Sequence, residues 1–219
     1  MGISENLNKL RTKLPSEVTL VAVSKTKPIS DLMEAYSAGQ RVFGENKIQE
    51  MEAKWQEMPK DIQWQMIGHV QRNKVKYMAP FVNLIHAVDS LRLLNEINKE
   101  AKNNERTIEC LLQIKIAEEE SKFGLEKTEA ADLLSSEEIK NLHNIEIVGL
   151  MGMATFTDDD NQISEEFKKL KRIYDEFQLQ NSQFRILSMG MSGDYKIAVE
   201  NGSNLVRIGS AIFGERNYT

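Results

Sequence analysis

A (β/α)8 barrel is the fold this sequence predicts, and three observations carry it. Eight short apolar, β-rich runs alternate with amphipathic helical stretches along 219 residues. Most of these runs end in a polar or glycine-containing turn, the place where such barrels keep their functional groups. The last two runs lead into glycine-bearing turns, Ser188-Met-Gly-Met-Ser-Gly-Asp194 and Val206-Arg-Ile-Gly-Ser210. An open doubly wound sheet is the competing architecture, but it usually needs fewer strands.

Ile3, Leu7, Leu10 and Leu14 share one helical face, so an extra N-terminal helix is expected over residues 3–14, stopped by Pro15. Residues 18–23 form a continuous apolar run, the pattern of a strand buried on both faces, and end in Ser24-Lys25-Thr26-Lys27-Pro28. A helix bearing Ile29, Leu32, Met33 and Tyr36 follows and stops at Gly39. The unit then repeats. Strands are expected at 41–44, ending in Glu45-Asn46, at 63–67, ending in Gly68-His69, and at 82–88, ending in Asp89. Ile48, Met51 and Trp55 mark the first of the helices between them, Val75 and Met78 a short second one, and Leu91, Leu94 and Ile97 a third that Ser90 would cap. Residues 108–116 are the fifth strand. They run into a charged loop over 117–124, whose segment Glu118 to Lys122 is the candidate for closing over a ligand, and then a helix near 128–134. The sixth strand is 145–150. After a polar turn comes the clearest helix, with Ile163, Phe167, Leu170, Tyr174 and Phe177 on one stripe. Strands at 185–187 and 204–208, a helix through Tyr195, Ala198 and Val199, and a closing segment at 211–213 complete the chain.

Composition narrows the function. With 28 basic against 33 acidic residues the net charge is −5, which supports neither nucleic-acid binding nor an anionic membrane surface. A bound phosphate must then be held by local geometry. One cysteine, Cys110, rules out an internal disulfide, and no signal-like or membrane-length apolar run is present. The expectation is a cytoplasmic protein forming one barrel over residues 1–219, with no domain linker.

The strand ends collect Lys25, Asn46, His69, Asp89, Lys115, Met151, Ser188 and Arg207, a set that a barrel would bring to one mouth. Phosphate sites in this architecture commonly use the loops after strands seven and eight, which here hold Ser192-Gly193 and Gly209-Ser210. Turns that open helices present backbone N–H groups and a partial positive charge to an anion. Lys25, ending the first strand, supplies an amine that can hold the same molecule covalently. Each residue also has a plainer use: a solvated lysine, a paired arginine, a turn-closing His69 or Asn46. The methionines Met151, Met153, Met189 and Met191 read as core and pocket lining. His69, His86 and His143 lack metal-ligand spacing, and no nucleophile elbow, Walker loop or dinucleotide fingerprint occurs.

Ala22-Val-Ser-Lys-Thr-Lys-Pro28, Phe43-Gly-Glu-Asn46, Ile67-Gly-His69, the two C-terminal turns and Ile212-Phe-Gly214 together resemble the pyridoxal 5′-phosphate (PLP) homeostasis family, also called the YggS type or proline synthetase co-transcribed proteins. The motifs run in the same order over nearly the whole chain. The resemblance implies a barrel like the N-terminal domain of alanine racemase, holding PLP as a Schiff base on Lys25. It further implies that Ser192, Gly209 and Ser210 grip the phosphate, that Arg207 faces the pyridine nitrogen and that Asn46 lies beside the ring. Lys47, Ala154-Thr155 and Asn204 depart from the usual pattern, and none of them is an implied cofactor contact.

A Schiff base needs an unprotonated amine, which desolvation and a nearby positive charge both favour. An arginine at the pyridine nitrogen weakens the ring as an electron sink. Racemisation would also need an acid/base on the opposite face, which the related racemases take from another domain and the partner subunit. No such domain is expected here. The expectation is therefore a monomeric, non-catalytic PLP carrier that hands its cofactor to apo-enzymes in transient contacts. A small PLP-dependent racemase and a sugar-phosphate barrel enzyme using Lys25 are the alternatives.

Overall fold

The structure, a computed structural model, describes residues 2–118 and 123–215. Eight parallel strands close into a barrel in sequence order: β1 (Thr19–Val23), β2 (Val42–Glu45), β3 (Gln63–Met66), β4 (Leu84–Val88), β5 (Ile108–Gln113), β6 (Ile145–Met151), β7 (Ile186–Ser188) and β8 (Leu205–Ile208). Closure is made by β1 lying on β8, with Thr19 opposite Leu205 and Ala22 opposite Ile208. That pairing removes the doubly wound alternative, which would leave both strands at open edges.

Around the barrel run α1 (Ile3–Arg11), α2 (Ile29–Ser37), α3 (Ile48–Glu57), α4 (Val75–Met78), α5 (Leu91–Asn103), α6 (Lys127–Ser135), α7 (Glu137–Lys140), α8 (Asp160–Gln178), α9 (Tyr195–Glu200) and α10 (Ser210–Phe213). Side-chain alternation sorts each strand into two layers. In β1, Leu20 and Ala22 pack outward against the helices, whereas Val21 joins Leu84, Ala87, Leu111, Val148, Met151 and Leu205 inside the barrel. The predicted stripe of α8 is buried at Ile163, Phe167, Leu170, Tyr174 and Phe177, and burial of such side chains stabilises by about 1.5–3 kcal/mol each.

Several local expectations need correction. The first helix ends at Arg11 and not at residue 14, because Lys13 and Leu14 both turn back onto the Leu10 carbonyl. The fifth strand stops at Gln113, since Leu125 returns alongside it, donating to Gln113 O and accepting from Lys115 N. Ser90 occupies the N-cap position of α5 but makes no cap bond; its hydroxyl turns to the neighbouring Asp89 carboxylate at 3.2 Å. Helix α7 was not expected, and Ser136 caps it by accepting from Ile139 N. The loop reading over Glu118 to Lys122 falls mostly outside the described residues. No helix among those described is long and apolar enough to cross a membrane.

Candidate functional site

The residues after β1, β2, β7 and β8 enclose a cavity of about 420 Å3. Lys25, Asn46, Ser192, Arg207, Gly209 and Ser210 all line it, together with Lys27 and the apolar wall Val23, Ile67, Met153 and Met191. The two glycine-bearing turns touch directly, because Gly209 N–H donates to Ser192 Oγ at 3.2 Å. Ser210 opens α10, and the leading N–H groups of a helix have no partner within it.

The strand-end set converges only in part. His69 and Asp89 pair with each other at 3.6 Å, and the His69 ring stacks on Phe123 at 5.0 Å. Neither they nor Lys115 line the cavity. Met151 is core, and Ser188 lies beneath Arg207. Met153 and Met191 are cavity wall, and Met151 and Met189 are buried, as the sequence indicated.

Arg207 forms the floor. It is 4% exposed, and its guanidinium donates to Ser188 O (2.9 Å), Ser188 Oγ (2.6 Å) and Gly152 O (3.0 Å). Burial pushes its pKa down to about 10, with Asp194 acting in the opposite direction, so it is a cation at neutral pH. Behind it stands a relay that sequence reasoning missed. His86 Nε2 lies 2.7 Å from Gln65 Oε1, and its Nδ1 lies 3.1 Å from Ser188 Oγ. The amide oxygen can only accept, so Nε2 carries the proton and Nδ1 accepts from the Ser188 hydroxyl. Burial and the Arg207 charge hold the His86 pKa well below its usual value, keeping the ring neutral. The signal was present in the strands. Gln65 between Trp64 and Met66, and Arg207 between Val206 and Ile208, are polar residues bracketed by outward apolar ones, hence inward-facing.

The β1–α2 turn carrying Lys25 rests on a second buried group. Lys54 Nζ donates to Ser24 O (2.8 Å), Glu45 Oε1 (2.7 Å) and Glu50 Oε1 (2.7 Å). Burial raises the Glu45 carboxyl above its ordinary range, against the pull of Lys54. On the opposite side of the turn Lys27 Nζ donates to Phe213 O and Glu215 O, tying the closing segment to the mouth.

Gly68 explains the glycine after β3. A Cβ there would lie 2.5 Å from Asn46 O and 2.8 Å from Asn46 Cα, backbone that cannot swing aside. Gly68→Ala is expected to displace Asn46 from the cavity wall and to lower stability by about 1–3 kcal/mol, readable by chemical denaturation. Gly190, in the turn after β7, sits at φ +97° with its notional Cβ 2.6 Å from Ala198 Cβ, so this turn too admits only glycine.

A closed parallel barrel whose first-strand lysine shares a cavity with two joined glycine-bearing turns defines a class, and the sequence comparisons agree with it. The family model for the alanine racemase N-terminal domain matches residues 2–217. The chain is 36% identical to the pyridoxal phosphate homeostasis protein of Haemophilus influenzae, across 100% of this chain and 98% of that protein. It is 37% identical to the protein of the same name from Aquifex aeolicus, over 91% and 87% of the two chains. The chain belongs to the pyridoxal phosphate homeostasis protein family, within the alanine racemase N-terminal barrel class. Among solved structures, PipY of Synechococcus elongatus with PLP bound superposes with a TM-score of 0.88 at 35% identity, covering 97% of this chain and 100% of that one. Alanine racemase of Clostridium difficile shares the fold, with a TM-score of 0.77 at 16% identity over 98% of this chain and 56% of that one.

Proposed function

We propose that this chain binds PLP covalently through Lys25 and acts as a carrier that keeps the reactive aldehyde captured until it is passed on. The observation that carries the reading is the lining of the cavity. In a chain of net charge −5, the described residues around it include Lys25, Lys27 and Arg207 and no carboxylate. Two cations, two serine hydroxyls and helix-opening N–H groups beside the Lys25 amine form a donor-rich set suited to a phosphate dianion. The apolar wall of Val23, Ile67, Met153 and Met191 suits a flat aromatic ring.

When bound, PLP would supply an electrophilic aldehyde with which the unprotonated amine of Lys25 would condense, with release of one water. The chain's own residues do the rest. Ser192 and the Gly209-Ser210 turn would hold the phosphate, and Arg207 and Asn46, which line the same cavity, would orient the ring. Arg207 donates to neutral oxygens through both terminal nitrogens and stays a cation, so it does not give a proton to a ring nitrogen.

The non-catalytic part of the reading rests on proton traffic. Racemisation needs acid/base groups on both faces of the ring. Apart from Lys25, the titratable residues among the described lining are Lys27, already donating to two carbonyls, and Arg207. The relatives' name, homeostasis protein, accords with capture and release.

Intact mass after incubation with PLP and borohydride reduction, followed by peptide mapping, tests this. One adduct per chain on Lys25 is the expected result, and an adduct confined to other lysines overturns the assignment. Sustained turnover of D- or L-amino acids at ordinary enzyme rates would instead favour a small racemase.

A further inference from the structure

We propose that the buried Lys54–Glu45–Glu50 cluster is a positioning device for Lys25, setting the amine against the cavity by clamping the residues on either side of it. The inference rests on Lys25 being the capturing amine.

The clamp is visible bond by bond. Ser24, before Lys25, is fastened three ways. Its N–H donates to Gly44 O, its hydroxyl donates to Glu45 Oε1 at 2.6 Å, and its carbonyl accepts from Lys54 Nζ at 2.8 Å. Thr26, after Lys25, donates its N–H to Glu50 Oε1 at 2.6 Å. Both anchors meet at one ammonium, because Lys54 Nζ also binds Glu45 Oε1 and Glu50 Oε1. All three Lys54 donors are thereby used.

Two features make this a poor device for stability alone. Glu45 is fully buried, and its second oxygen, Oε2, has no hydrogen-bond partner. An ion pair in that environment gains little over apolar residues of the same volume. In addition, Thr26 is held at φ 65°, a left-handed conformation that β-branched residues rarely adopt. Such strain persists only where the surroundings impose it, and it gathers at functional sites. The Glu50 carboxylate binds the N–H of this strained residue, the immediate neighbour of the capturing lysine, and Lys27 N–H closes the turn around it onto Ser24 O. A turn pinned on both sides leaves the Lys25 stem few ways to leave the cavity, so the amine is held near the position where it must meet the aldehyde.

Two variants and two ligands test the proposal. Lys54→Met removes the central ammonium, and Glu50→Ala, at a partly exposed position, releases the Thr26 anchor and one of the three Lys54 acceptors while leaving the buried Lys54–Glu45 pair and the Ser24 anchor in place. PLP reports capture, through the rate and yield of the borohydride-trapped adduct on Lys25. Pyridoxine 5′-phosphate has the same ring and phosphate but no aldehyde, so its dissociation constant reports the pocket without the amine. Both variants are expected to slow capture by about tenfold or more, as misplacement of a reacting group does, while the analogue's affinity stays within about twofold. Equal losses for both ligands would make the cluster merely structural, and unchanged capture in Glu50→Ala would equally overturn the proposal. Failure of wild-type protein to form the Lys25 adduct is a different outcome, which removes the reading of the cavity itself.

Discussion

Lys25→Ala abolishes the borohydride-trapped adduct while leaving weak, phosphate-directed binding of PLP. The cavity divides its work between one covalent contact and several non-covalent ones, and the variant removes only the first. Arg207 stands on strand eight, Ser192 and the Gly209-Ser210 turn follow strands seven and eight, and none of them is altered by a change after strand one. The expected loss in apparent affinity is about a hundredfold or more, equivalent to about 2.7 kcal/mol. Ser192→Ala provides the contrast. It deletes a hydrogen bond to a charged group, about 1.5–3 kcal/mol, but leaves the trapped lysine in place. Lys27 also lines the cavity, yet its ammonium donates to Phe213 O and Glu215 O at 2.9 and 3.2 Å, which directs it to the closing segment. Absorbance titration with PLP and mapping of the reduced adduct check both variants. An adduct of undiminished yield in Lys25→Ala refutes the role given to Lys25.

The legible parts of this protein were those that depend on local pattern. Strand–helix alternation and glycine placement mark β7, β8 and their turns, and the lysine that follows β1. The cavity residues could be read because barrel topology maps strand ends onto one face. What was not legible depends on pairing across the sequence. Nothing in the spacing of Glu45, at a strand end, and Lys54, nine residues on, pairs them; only folding shows that β2 and α3 bury them together. His69 and Asp89 sit at strand ends like Lys25, but they lie against each other and outside the cavity lining. Ser90 has the right residue type and position for a cap, and the adjacent Asp89 carboxylate took its hydroxyl instead. In each case a specific partner outcompeted a general preference, and partners are not encoded in spacing.

The same reasoning predicts an acid-sensitive floor. His86 is neutral when folded, with its pKa held well below 6.5 first by burial and then by the Arg207 cation. In the unfolded chain it titrates near 6.5. Below that pH the unfolded state takes up a proton that the folded state refuses. Stability present above about pH 6.5 is therefore lost as the pH falls, at about 1.4 kcal/mol per unit until the folded pKa is reached. Glu45, whose pKa is raised, acts with the opposite sign: its contribution favours the fold toward acid and is lost as the pH rises through the folded value. Comparing wild type with His86→Gln cancels that contribution, because Glu45 is the same in both. Denaturation from pH 7 to 5 should show the wild type losing more stability than the variant as the pH falls. Parallel curves would mean that His86 is protonated inside the barrel. The consequence reaches the cavity through Ser188. Its hydroxyl donates to His86 Nδ1 and so leaves its lone pairs to Arg207 Nη1. An imidazolium would aim a second donor at the same oxygen and compete with the arginine that forms the floor, so the neutral ring and the placement of Arg207 are one condition.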